Sequence, residues 1–108
     1  MSNPRLQKLL GMLEKQPQDT FLNYALAMEY QGAGDKSKAS ELFRKVLQIE
    51  EHNVAAKYQL ARLICEEHPK DAILLLESGM KDAKLNSDLK TANEFRSLLD
   101  EILFDSED

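Results

Sequence analysis

Cysteine is nearly missing from this chain: Cys65 is the single one in 108 residues. One cysteine excludes an internal disulfide and suits a reducing compartment, so a cytoplasmic location is expected. Basic residues are outnumbered, with 14 Lys and Arg against 19 Asp and Glu and a formal net charge of -5. No basic block offsets this, which argues against a binder of nucleic-acid phosphates, since that needs a positive face. No apolar run approaches the ~20 residues of a membrane span. The opening stretch MSNPRLQKLLGMLEKQPQD has an apolar run too short and too broken for a secretory signal, and reads as a helix of the mature protein. Gly-rich phosphate loops, nucleophile elbows and metalloprotease motifs do not occur. The expectation is therefore no enzymatic activity, no cofactor and no metal. Only three prolines and four glycines interrupt the chain. They fall at the edges of periodic segments, and no segment shows strand alternation.

What is present is helical periodicity. Apolar residues make up 43% of the chain, enough for a core, and the length suits one domain. The pattern predicts six helices, over 4–15, 20–31, 36–50, 54–66, 69–84 and 88–103. Asn3, Asp19, Asp35 and Asn53 stand where N-caps belong, and Pro4 and Pro69 suit a first helical position. The first helix carries the stripe Leu6, Leu9, Leu10, Leu13; the last carries Leu89, Ala92, Phe95, Leu99, Ile102, Leu103. The end, FDSED, is acidic and expected to fray. Helices of this length with short connections must be antiparallel neighbours. A closed bundle and a stack of hairpins both satisfy that.

Internal repetition favours the stack. Shifted by 34 residues, Tyr24 meets Tyr58, Leu26 meets Leu60, Ala27 meets Ala61 and Tyr30 meets Ile64. After a single deletion Ala39 meets Ala72, Phe43 meets Leu76, Val46 meets Gly79 and Leu47 meets Met80. A helix–turn–helix unit with that period is a specific signal. Alanine recurs at 27, 39, 61 and 72, where a core would normally take leucine. Its small size there predicts a close crossing of two helices, with Leu26, Tyr30 and Phe43 filling the space around it.

These residues resemble the tetratricopeptide repeat (TPR). Asn23, Leu26, Ala27, Tyr30, Gly34-Asp35, Ala39, Phe43, Val46-Leu47 and Glu51 stand in the places of one repeat. Lys57, Leu60, Ala61, Ile64, Ala72, Leu76 and Gly79-Met80 stand in those of a second. Two departures are clear: the family's tryptophan is replaced at Asn23 and Lys57, and EEHPKD replaces the Gly-Asp turn of the second repeat. The resemblance implies an all-α, right-handed α-solenoid of stacked antiparallel helix hairpins in one domain. Its parts would be a half-repeat helix at 4–16, repeats at 20–53 and 54–86, a capping helix at 87–103 and an acidic tail at 104–108.

The resemblance also implies a function: a protein–protein interaction module that binds a peptide or protein segment in the groove of its A helices. Carried over by position, the groove residues would be Phe21, Tyr24, Met28 and Gln31, then Ala55, Tyr58, Arg62 and Cys65. The alternative for Phe21 and Tyr24 is burial against the first helix. Tyr24 and Met28 occupy places where some members grip a terminal carboxylate with Lys and Asn, so that clamp is not expected. Cys65 and His68 lie one turn apart, but a metal site needs two further ligands and His52 is the only other histidine. A cysteine beside a helix end is the plainer reading, with His68 near a helix C-terminus. From a different class, the chain could be a self-association module pairing through the groove or the last helix; a monomer or weak homodimer is expected.

Overall fold

The computed structural model describes residues 3–106. Among them the protein is all-α, with α1 (Pro4–Lys15), α2 (Thr20–Gly32), α3 (Lys36–Ile49), α4 (Val54–Ile64), α5 (Pro69–Leu85) and α6 (Leu89–Ser106). Local chemistry explains most of the starts. The side chains of Asn3, Asp19, Asp35, Asn53 and Asp88 each accept a hydrogen bond from the backbone N–H three residues on, at 2.9–3.2 Å. Each such bond satisfies an amide that has no intrahelical partner, and is worth ~1 kcal/mol. Proline occupies the first turn of α1 and of α5.

The ends differ from the sequence expectation in instructive ways. Helix α4 stops at Ile64, two residues short of Glu66. His68, expected near the end of that helix, is instead the N-cap residue of α5. The residue before a proline is pushed out of the α region, and His68, before Pro69, has φ -133° and ψ 63°. At the other end, α6 does not stop at Leu103 but runs to Ser106, taking in Phe104 and Asp105. No glycine or proline stands there to end it. The remainder of the acidic tail, 107–108, lies outside the described residues.

Two turns share one geometry. After α2, the N–H of Gly34 donates to Gln31 O (3.1 Å) and that of Asp35 to Tyr30 O (2.9 Å), with Gly34 at φ +84°. After α5, Ser87 donates to Lys84 O (3.0 Å) and Asp88 to Ala83 O (2.8 Å), with Ser87 at φ +58°. Both are Schellman caps, in which a left-handed residue lets the chain satisfy the last carbonyls. Glycine takes that conformation freely; serine there costs about 1 kcal/mol.

The chain divides into two compact units, Met1–Glu51 and His52–Asp108. In the first, α2 packs on both α1 and α3. Leu9, Leu22 and Leu26 form a buried cluster, flanked by Leu6, Leu10, Leu13, Tyr30 and Leu42. In the second, α5 packs on both α4 and α6. Its core comes from Leu60, Ile64, Leu76, Met80, Phe95, Leu99 and Ile102. The four alanines at 27, 39, 61 and 72 are wholly buried. The α6 stripe is narrower than the sequence suggested: Leu89 is 66% exposed and Leu103 42%. Leu89 begins the helix, and Leu85, the last residue of α5, is also exposed. Leu103 lies ~100° round the helix from buried Ile102.

Ala27→Leu is expected to lower stability by ~1–3 kcal/mol, because three added carbons must enter a site with no free surface. Gln48→Leu, on the exposed side of α3, should stay within ~0.5 kcal/mol. Urea midpoints measure both; equal midpoints would contradict tight packing at Ala27.

Candidate functional site

The apolar stripe of α4 contains a lysine. Lys57 is followed at helical spacing by Leu60, Ala61 and Ile64, all buried, and its own side chain is only 6% exposed. A buried ammonium needs a partner. It forms an ion pair with Asp82 of α5, whose side chain is 8% exposed, and donates to Ser78 Oγ at 2.7 Å. The second Asp82 oxygen accepts from His52 Nδ1 at 3.0 Å; the imidazole itself is 72% exposed. An ionised carboxylate only accepts, so Nδ1 carries the hydrogen. Burial pushes the Asp82 carboxyl up, but the hydrogen bond and charge of Lys57, followed by those of His52, outweigh it and hold it below the ordinary value.

Chemically this cluster fastens α4 to α5. Ser78 and Lys57 are of the types found in serine–lysine nucleophile pairs. Here the ammonium is engaged by Asp82, and an engaged ammonium has no lone pair to take a hydroxyl proton. The equivalent place in the first unit is also polar. Asn23 is wholly buried, and its Nδ2 donates to Pro17 O (3.1 Å) and Asp19 O (2.8 Å). It ties α2 to the turn before it, while its Oδ1 has no hydrogen-bond partner. Thus the two positions without the expected tryptophan each hold a buried polar tether.

The Asp82 pKa has a consequence for acid stability. Because the folded value lies below the unfolded 3.8, the stabilisation is complete above 3.8 and is lost as pH falls through the folded value. Lowering the pH from about 6 to about 3 should therefore destabilise the parent more than Asp82→Asn, which has no carboxyl to protonate there. Parallel acid dependence of the two urea midpoints would place the acid sensitivity elsewhere.

The sequence-expected groove residues fall in both units. On α2, Phe21 is 77% exposed and Met28 39%, whereas Tyr24 and Gln31 are half-buried. The Tyr24 ring meets Phe43 edge-on, with centroids 5.4 Å apart, so packing holds one side of it. On α4, Tyr58 is half-buried against Phe95 of α6, with centroids 5.1 Å apart. Tyr58 and Ala55 line a cleft of about 440 Å³ between α4 and α6, together with Val54, Gln59, Asp88, Thr91, Glu94 and Phe95. Cys65 lines a second cleft of about 260 Å³ with Glu66, Pro69, Ile102 and Asp105, and its thiol donates to Arg62 O at 3.4 Å. Arg62 is exposed and lines neither cleft.

Sequence reasoning missed the α6 wall of the larger cleft, because it treated α6 only as a cover. It also missed the Lys57–Asp82 pair, although a lysine on the stripe 57–60–61–64 was a legible sign that a partner had to exist. Among the described residues, no three His, Cys, Asp or Glu side chains gather as a metal site. No helix there is long and apolar enough to cross a membrane. No protein-family model matches the chain, and no curated protein matches it.

Proposed function

We propose that the chain is a non-catalytic interaction module of the TPR kind, a short solenoid whose A helices, α2 and α4, present a binding surface to a segment of a partner protein. The observation that carries this reading is the α4–α6 cleft. Tyr58 lines it with a ring already braced by Phe95. A braced aromatic loses little entropy on binding, and aromatic anchors concentrate interface energy. The 34-residue repeat and the exposed Phe21 and Met28 on α2 support the same reading. The single cysteine suits a module of the cytoplasm.

Affinity capture from native cell extract, followed by mass spectrometry, tests the proposal. Tyr58→Ala should weaken a captured partner by ~2 kcal/mol or more, the hot-spot threshold. Its melting temperature should fall as well, since the variant forfeits the Phe95 contact, worth ~0.5–1.5 kcal/mol beyond burial. Ala55→Arg separates the two effects. Residue 55 is exposed at the cleft, so the longer side chain obstructs it while leaving the core untouched. A partner that binds Ala55→Arg as tightly as the parent would place the functional surface elsewhere.

A second reading, self-association, draws on the exposed apolar residues Leu89, Leu103 and Phe104 of α6. Light scattering over a concentration series distinguishes it: mass that doubles in the parent but not in Phe104→Ser would favour pairing through the last helix.

A further inference from the structure

The α4–α6 cleft has apolar residues beside polar ones, and its charge has one sign. Val54, Ala55, Tyr58 and Phe95 supply its apolar lining, Gln59 and Thr91 neutral polar groups, and its ionisable side chains, apart from Tyr58, are Asp88 and Glu94. The smaller cleft follows the same rule, with Glu66 and Asp105 as its charged residues. All four are carboxylates, and no lysine or arginine lines either cleft. Asp88 is held ionised: hydrogen bonds from the Thr91 hydroxyl (2.7 Å) and the Thr91 N–H (3.1 Å) lower its pKa. Asp88, just before α6, and Glu94, on it, are separated by ~9 Å along the helix axis and by ~120° around it, so they flank the cleft at different places.

We infer that the α4–α6 cleft takes an extended, basic segment of a partner protein, with an aliphatic or aromatic residue on Tyr58 and Phe95 and a lysine or arginine on each side of it. The inference rests on the interaction-module reading and names the chemistry of its partner. Charge complementarity decides against the other occupants. An acidic peptide, a phosphorylated one or an anionic lipid surface would each meet the carboxylates of the lining, and like charges brought together across an interface suppress binding. Three cations are near in sequence, and none lines either cleft: Lys57 is buried on Asp82, Arg62 is exposed on α4, and Lys90 lies on α6, where its charge helps keep Asp88 ionised.

The test is selection of random octapeptides displayed on phage against the full chain, followed by fluorescence anisotropy of an enriched peptide at low salt. The expected result is enrichment of Lys or Arg on both sides of a Leu, Ile, Met or Phe. Asp88→Asn combined with Glu94→Gln should weaken that peptide about three- to ten-fold. Asparagine still caps α6, so circular dichroism should report an unchanged melting curve. Raising the salt to about 0.5 M should erase the difference, because exposed pairs are screened. Arg62→Ala should leave the affinity unchanged. Acidic enriched peptides would overturn the inference. So would basic ones insensitive to the double variant, or no enrichment at all. Peptides that depend on Tyr58 but not on charge would overturn this partner chemistry while leaving the interaction module standing. Capture from extract decides the module reading by itself.

Discussion

Lys57→Met, with Asp82 left in place, is expected to destabilise the protein by ~3–5 kcal/mol, the usual cost of breaking a buried ion pair from one side. The large effect comes from what remains. The Asp82 carboxylate, 8% exposed, would keep only the hydrogen bond from solvent-facing His52. Asp82→Leu with Lys57 retained should be about as harmful, since it leaves a buried ammonium on Ser78 alone. The double variant Lys57→Met with Asp82→Leu has a different expected outcome: stability within ~1 kcal/mol of the parent, or above it, because two well-packed apolar groups avoid desolvating two charges. A domain of this size commonly has ~5–15 kcal/mol in hand, so either single variant removes a large share of it. Urea titration of the three variants measures the coupling directly. Additive effects, with the double variant worst of all, would show that the pair does not act as a unit.

Gly79→Ala is expected to lower stability by ~1–3 kcal/mol, although alanine is the better helix former by ~1 kcal/mol. The sign is set by Phe95. A Cβ at Gly79 would sit 2.0 Å from Phe95 Cε2 and 2.7 Å from Cδ2. Phe95 is 1% exposed and Tyr58 lies against it, so the ring can shift only by giving up packing within the second unit. Glycine is therefore needed in mid-helix for the close approach of α6 to α5, not for backbone freedom. Phe95→Leu should relieve the clash, so Gly79→Ala should cost less in that background, with a coupling of ~0.5–3 kcal/mol. A thermal melt showing Gly79→Ala more stable than the parent would refute the close approach. Gly79→Ala should also disturb Tyr58 in the cleft lining, since Phe95 braces it. That links a packing residue inside the second unit to the proposed binding surface.

The helices were legible from sequence because their causes are local. Asn3, Asp19, Asp35 and Asn53 cap by hydrogen bonds to amides three residues away, and spacing of 3.6 needs no knowledge of neighbours. The turn at Gly34-Asp35 was legible for the same reason. The wholly buried alanines at 27, 39, 61 and 72 were legible from their recurrence. Boundaries were less so: α6 runs on through Phe104 because no residue there stops it, and acidity by itself does not unwind a helix. What the tertiary structure alone decided is pairwise. Lys57 announces a need for a counter-charge but not which of 19 acidic residues supplies it; only the docking of α4 on α5 selects Asp82. Gly79 looks like a weak point in a helix until Phe95 is found lying on it. Tyr58 could have been anchor or core, and is half of each, because α6 stands beside one side of the ring and leaves the other on the cleft. Burial of a residue depends on which helix comes to rest against it, and that is settled by the sum of distant contacts rather than by the residue's own neighbours in sequence.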